Sequence, residues 1–217
     1  DSTRQCQVAV AQITSQFVDP CPGYLKTLYV EYLCEYSPAR SQGKQLELFV
    51  VNVESENDKK QKMIAQIEST RLLRQLKLHW IGVDGRKHDF AMDYMRGKLS
   101  NEALQKIVSP EIVGGEFMTR GALGCALSHV AVWKKCAEID DVSACIVFED
   151  DVQLARHFDA AFRYDMSQLP RDWAVWYLAS VVENQMTVIH HSTRFSSSLF
   201  KMDGETWGTY AYVIRPS

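Results

Sequence analysis

Two near-continuous apolar runs constrain this chain most: "LELFVVNV" at 46–53 and "ACIVFEDD" at 144–151. A strand with one solvated face alternates apolar and polar residues, whereas runs of this kind are buried on both faces, as in a parallel sheet. Helical patterns lie between them. "SENDKKQKMIAQIESTRLLRQLKL" sets Met63, Ile64, Ile67 and Leu73 on one face, and Ser55 with Asp58 has capping-box spacing. "LHWIGVDG" reads as a second strand stopped by Asp84 and Gly85, followed by loop and short helix to about residue 110. "TRGALGCALSHVAVWKKCAEI" reads as a helix with Thr119 as its N-cap. Its small residues Gly121, Ala122, Gly124, Cys125 and Ala126 let the backbone press closely on a sheet. "HFDAAFRYDMSQL" is a further helix, and "WAVWYLAS" and "GTYAYVIRPS" are further strands. The alternation predicts an α/β fold with a mostly parallel central sheet flanked by helices.

Residues 1–45 read differently. "YLKTLYVEYLCEY" spaces Leu25, Leu28, Tyr29, Tyr32, Leu33 and Tyr36 as a helical stripe, after the breaker "DPCPG" and before the linker "SPARSQGK". This predicts a helical N-terminal extension ahead of a domain at 46–217. The stripe reads as packing surface, for the next domain or for a partner.

Hydrophobic residues at 46% and charged residues at 24% exclude disorder of the whole chain. A net charge of -3 without a dense basic block argues against a nucleic-acid partner. No run of 18 apolar residues predicts a membrane span, and the opening lacks the pattern of a signal peptide. None of the six cysteines is paired as C-x-x-C, and Cys125 and Cys145 lie in apolar stretches where a thiol behaves as a small hydrophobe. The reading is reduced thiols in a reducing compartment, with bridging among Cys6, Cys21 and Cys34 left open.

Glu149, Asp150 and Asp151 end the second apolar run. In open α/β sheets ligands sit beyond the carboxyl ends of the strands, where Asn52 also falls. Side chains alternate along an extended chain, so Glu149 and Asp151 are expected on one face with Asp150 turned away. Two hard oxygen ligands suit Mg²⁺ or Mn²⁺, which take their remaining ligands from water and substrate phosphates. The other reading is a solvated turn whose carboxylates meet Arg156 or Lys134.

Several other residues invite functional readings. Ser128 and His129 diverge on a helix; Ser128 is expected to bond its own backbone, and His129 to pack or to lie near a donor. His190 and His191 have too few partners for a metal site and read as loop. "GALG" is too short for a dinucleotide fingerprint. Trp173, Trp176 and Tyr177 read as core, with stacking on a sugar as the alternative.

The chain resembles glycosyltransferase family 25, which includes lipooligosaccharide and procollagen galactosyltransferases. "FVVNVESENDKKQKM", "HWIGVDGR", "GALGCALSHVAVWKKC" and "CIVFEDDV" carry the resemblance in the family's order, and "LPRDWAVWYLAS" and "WGTYAYVIRPS" extend it. The resemblance implies a GT-A-like nucleotide-binding fold and an inverting transfer of a hexose from a nucleotide sugar to a glycan or protein hydroxyl. The donor is expected to be UDP-galactose or UDP-glucose, with Mn²⁺ or Mg²⁺ as cofactor. Glu149 and Asp151 would hold the metal, and Asn52, Asp84 and Asp150 would lie on the donor nucleotide.

Two departures bear on activity. Glu56 stands where the family carries Arg, leaving Lys59 or Lys60 to meet phosphate, and the family's chain continues beyond the final strand, implying a C-terminal truncation. Both keep open a second reading, a catalytically degenerate binding or docking module of a larger protein. An unrelated phosphohydrolase is a distant third. Asp203 and Glu205 are placed as candidates for the general base, and neither is assigned. Relatives imply a cytoplasmic location or, alternatively, the endoplasmic reticulum lumen. The absence of an Asn-x-Ser/Thr acceptor leans toward the former.

Overall fold

A computed structural model describes residues 4–10, 28–34, 45–95, 119–170, 173–181, 192–194, 200–202 and 207–216. The central sheet has five strands. β3 (Gln45–Val51) leads through helix α1 (Asn57–Ser69) to β4 (Lys77–Ile81), parallel and adjacent to it. After the short helix α2 (Phe90–Met95) and the long helix α3 (Arg120–Glu138), β5 (Val142–Glu149) pairs in parallel with the other edge of β3. Helix α4 (Phe158–Gln168) then leads to β6 (Val175–Val181), and β9 (Trp207–Ile214) inserts antiparallel between β5 and β6. The order is β4-β3-β5-β9-β6, with four strands running one way and β9 the other. This is the mixed α/β arrangement that the strand and helix patterns predict, and it is consistent with the GT-A-like fold that the resemblance implies.

Both faces of the sheet are covered, which is why its strands read as unbroken apolar runs. Leu48, Val50, Ile146, Phe148 and Val213 pack against Met63 and Ile67 of α1 and Phe162 of α4. On the opposite face Phe49, Val51, Val147 and Tyr212 meet Val132 and Cys136 of α3. One carboxylate interrupts the apolar run: buried Glu47, bound to His79 Nε2 at 2.6 Å, which leaves no orphaned charge.

Helix α3 begins as expected, with Thr119 Oγ1 accepting from the Ala122 N–H at 3.0 Å. Its small residues do allow a close approach, though to the segment after β4. A Cβ on Gly124 would stand 2.6 Å from the Val83 carbonyl oxygen. Helix α1 departs from expectation, because Glu56 is its N-cap and makes no side-chain cap bond. The chain turns between Val53 and Glu56, which places Ser55 outside the helix, where its hydroxyl accepts from Arg86 at 2.7 Å.

Two corrections follow from the remaining strands and cysteines. Leu28–Cys34 is a strand, β2, antiparallel to β1 (Arg4–Val10), rather than part of a helical extension. Its aromatic and β-branched residues favour a pleated surface, and "QVAV" supplies an apolar partner, so pairing overrides the helical spacing. Cys136 and Cys145 form a disulfide joining α3 to β5, in place of the reduced thiols expected from their apolar surroundings. Helix and strand pack face to face there, and that contact is invisible to local sequence. Two further short strands, β7 (Ser192–Arg194) and β8 (Phe200–Met202), pair with each other. Cys21, His190, His191, Asp203, Glu205, the breaker at 19–23 and the linker at 37–44 lie outside the described residues, as do the side chains of Cys6 and Cys34. No helix among the described residues is long and apolar enough to cross a membrane.

Candidate functional site

Strand order reverses at β3: the chain moves to β4 on one side, then returns to β5 on the other. A crevice opens beyond the carboxyl ends at such a switch point. Asn52 follows β3 there, and Glu149 ends β5. Gly82 makes the approach on one side possible, since a Cβ there would lie 2.0 Å from the Asn52 carbonyl oxygen.

The strand stops at Glu149, and Asp150 and Asp151 occupy the turn after it. Pleat alternation therefore does not govern the last two carboxylates, and each has its own surroundings. Asp150 accepts from Asn52 Nδ2 at 2.7 Å and faces Lys59 Nζ at 3.5 Å. Asn52 also donates to the Glu56 carbonyl at 3.1 Å, which ties the start of α1 to the acidic turn. Two of the predicted donor-side residues, Asn52 and Asp150, are thus in direct contact. Lys59, one of the two bases proposed to offset Glu56, points at the carboxylates, whereas Lys60 lies over the Trp80 ring.

Glu149 turns toward α3 and β9. Its Oε1 accepts from the Thr209 hydroxyl at 2.6 Å and lies 3.3 Å from His129 Nε2. His129 Nδ1 is 2.9 Å from the Tyr212 hydroxyl, which also receives Trp133 Nε1 at 2.7 Å. Indole can only donate, so the Tyr212 oxygen accepts there, and the direction of its bond to His129 Nδ1 follows the imidazole tautomer. A proton on Nε2 is the one that donates to Glu149. Trp133, Tyr212, His129 and Glu149 thus form one connected hydrogen-bonded chain. Burial holds the Tyr212 phenol well above its ordinary range, with Glu149 adding to the effect, so the proton stays on it.

Asp151 is the carboxylate with least compensation. Although exposed, its carboxyl is raised above the ordinary range, by partial desolvation first and then by repulsion from Glu149 and Asp150, against a smaller pull from Lys59. The partners of the trio are thus His129, Thr209, Asn52 and Lys59, rather than Arg156 or Lys134. Asp151 thus keeps residual negative charge on hard oxygens, the donor type that a small divalent cation takes. The turn is held in place from α1, where Gln66 donates to the Val152 carbonyl at 2.9 Å and accepts from the Leu154 N–H at 2.8 Å.

Asp84 is held by Arg86 and Lys87 instead. Arg86 binds both its oxygens, at 2.9 and 3.3 Å, and holds its carboxyl below the usual range. Ser128 behaves as expected, donating to the Gly124 carbonyl at 2.7 Å, and it also accepts from the Val83 N–H. Trp176 is buried against Phe162, while Tyr177 lines a shallow apolar recess with Trp133, Thr209 and Tyr212 beside Glu149. Sequence reasoning missed Thr209, Tyr212 and Gln66. "GTYAY" carried two of them in plain view, but nothing local says which strand they meet.

The family described as glycosyltransferase family 25 (LPS biosynthesis protein) matches residues 45–217. Procollagen galactosyltransferase 1-A of Xenopus laevis is 27% identical over 135 residues, covering 61% of this chain and 21% of that protein. Procollagen galactosyltransferase 2 of Homo sapiens is 23% identical over 177 residues, 77% of this chain and 26% of that one. A Bos taurus protein named probable inactive glycosyltransferase 25 family member 3 is 20% identical over 176 residues, 77% of this chain and 27% of that one. The chain spans about a quarter of the length of these relatives.

Proposed function

The chain belongs to glycosyltransferase family 25, and from that premise we propose that it transfers a hexose from a UDP-sugar, with inversion, to a hydroxyl of a glycan or protein. The observation that carries this reading is the under-compensated Asp151 carboxylate, next in the chain to Glu149 and Asp150 at the switch point of the sheet. Glu149 and Asp151 would hold a divalent ion, Mn²⁺ or Mg²⁺, which would supply positive charge to the donor diphosphate. When bound, the ion offsets the charge that develops on the leaving nucleotide. Asn52 and Asp150 brace each other on the donor side, and Lys59 supplies positive charge close by, in the region where Glu56 replaces the family's Arg. The Thr209 hydroxyl and the His129 imidazole fix the orientation of Glu149, so the ion meets a carboxylate already in position.

The test is transfer or donor hydrolysis with UDP-galactose and UDP-glucose in the presence of Mn²⁺, comparing the native chain with Asp151→Ala. Loss of turnover by about two orders of magnitude or more is expected when the ion stabilises developing charge. Equal turnover by both proteins removes the metal role.

A second reading, a domain that binds but no longer transfers, draws on Glu56 and on relatives whose names call them inactive. Calorimetry with UDP and Mn²⁺ separates the two in part. The absence of binding under any metal condition favours the degenerate module. The Cys136–Cys145 disulfide supports a working place in an oxidising compartment, such as the endoplasmic reticulum lumen, over the cytoplasm. Recovery of the protein with free thiols at both positions from its native compartment overturns that placement.

A further inference from the structure

Glu149 has neighbours of a kind that a hard-ion site does not use. The ligand atoms of Cys125, His129 and Glu149 all lie within 4.8 Å of one another. We propose that these three side chains form a binding site for a borderline-soft divalent cation, Zn²⁺ foremost, which shares Glu149 with the Mn²⁺ pair but is otherwise separate from it.

Spacing brings the ligands together. Cys125 and His129 are one helical turn apart on α3 and so share a face. Glu149 reaches that face from the end of β5. His129 Nε2 and Glu149 Oε1 are 3.3 Å apart, long for a charge-assisted hydrogen bond. Zinc bonds of about 2.0–2.1 Å to nitrogen and oxygen give a tetrahedron with an edge of roughly 3.3 Å. The two atoms already stand at the separation that a shared tetrahedral ion requires.

The donor set also selects the ion. A thiolate is a poor ligand for Mg²⁺ or Mn²⁺ and a good one for zinc. One thiolate and one carboxylate offset the two positive charges, so the loaded site adds no net charge to a partly buried place. On binding, the sulfur–metal bond forms as the Cys125 thiol proton leaves to water. The imidazole binds through Nε2 and carries its proton on Nδ1. The two lone pairs of the Tyr212 oxygen accept both that proton and the Trp133 N–H. Thr209 remains on Glu149 Oε1, so Tyr212 and Thr209 orient the ligands as outer partners do in metal sites. Three protein ligands leave the fourth position to water. A consequence, which rests on the proposed function, is that zinc inhibits transfer by taking Glu149 from the Mn²⁺ site.

The experiment titrates the full chain with Co²⁺, with no sugar donor present, and reads the absorption spectrum. Tetrahedral visible bands are expected, with an intense near-ultraviolet band from sulfur-to-cobalt charge transfer, both abolished by added Zn²⁺. The chain has other cysteines, so the difference between proteins is what counts. Cys125→Ser keeps nearly the same shape and loses the sulfur band, while His129→Gln weakens cobalt binding at least about tenfold. Circular dichroism checks that each variant is folded, and Cys125→Ala provides a second thiol-free protein. A sulfur band unchanged in folded Cys125→Ser or Cys125→Ala overturns the site. So does cobalt bound with only a weak octahedral spectrum, or no binding at all. These outcomes are independent of turnover: absent cobalt binding leaves the transferase reading standing, and a cobalt-binding chain that transfers no sugar fails the other reading alone.

Discussion

At the end of β5 three carboxylates stand in consecutive positions, and their neighbours compensate them unequally. Glu149 has His129 and Thr209, Asp150 has Asn52 and Lys59, and Asp151 has partial desolvation and the repulsion of the other two against a smaller pull from Lys59. Because the Asp151 carboxyl is raised in the folded protein, its charged form costs stability at neutral pH. Asp151→Asn is therefore expected to stabilise the metal-free protein by a few tenths of a kcal/mol, a small effect because solvent screens an exposed group. The same change lowers Mn²⁺ affinity. Urea unfolding and calorimetry on the same pair of proteins measure the two opposite effects, and a variant less stable than the parent contradicts the charge argument. Tyr212→Phe acts in the other direction. It strips the acceptor from Trp133 Nε1 and the hydrogen-bond partner from His129 Nδ1 inside the core, and unfolding should show a loss of about 1–3 kcal/mol. The carboxylates were legible in the sequence because like charges at a strand end are locally anomalous. Tyr212 and Thr209 were not, because they reach His129 and Glu149 across 83 and 60 residues of chain.

The same division between local and distant information separates the elements. Helix α3 was legible from Thr119, its apolar periodicity and its run of small residues, all of which are local features. Which element those small residues meet was not, and the partner is the Val83–Gly85 segment after β4. Gly124→Ala tests that contact: the added methyl faces backbone atoms at 2.6 and 2.7 Å, which cannot rotate away as a side chain would. A loss of about 1–3 kcal/mol is expected, against the gain an alanine normally brings to a helix interior. Thermal unfolding of the variant decides it, and a protein more stable than the parent shows that the helix has room there. β2 went the opposite way. Its residues fit a helical stripe and a pleated strand almost equally, and only pairing with β1, 24 residues earlier from start to start, favours the strand.

For the whole molecule, the alternation of strands and helices predicted the layered architecture, and the switch-point rule predicted where the acidic turn would lie. The insertion of β9 between β5 and β6 was not legible, because an antiparallel strand can join any exposed edge and its own sequence does not name one. The Cys136–Cys145 bond was hidden for a related reason: two cysteines in apolar stretches look alike whether or not folding brings them face to face. That bond now has a molecule-wide role. It fastens α3 to β5, the two elements that carry His129 and Glu149, seven residues after the first and four before the second. Closing the short loop between residues 136 and 145 restricts the unfolded chain by an amount equivalent to about 2–3 kcal/mol. For a domain of this size, each kcal/mol moves the melting temperature by about 2–4 °C. Reductant should therefore lower Tm by roughly 4–12 °C in the native chain. A Cys136→Ala, Cys145→Ala double variant should melt near that reduced value and respond little to reductant. Since the chain has other cysteines, only the difference between the two proteins isolates this bond, and equal responses to reductant would show that α3 and β5 are held together by packing alone.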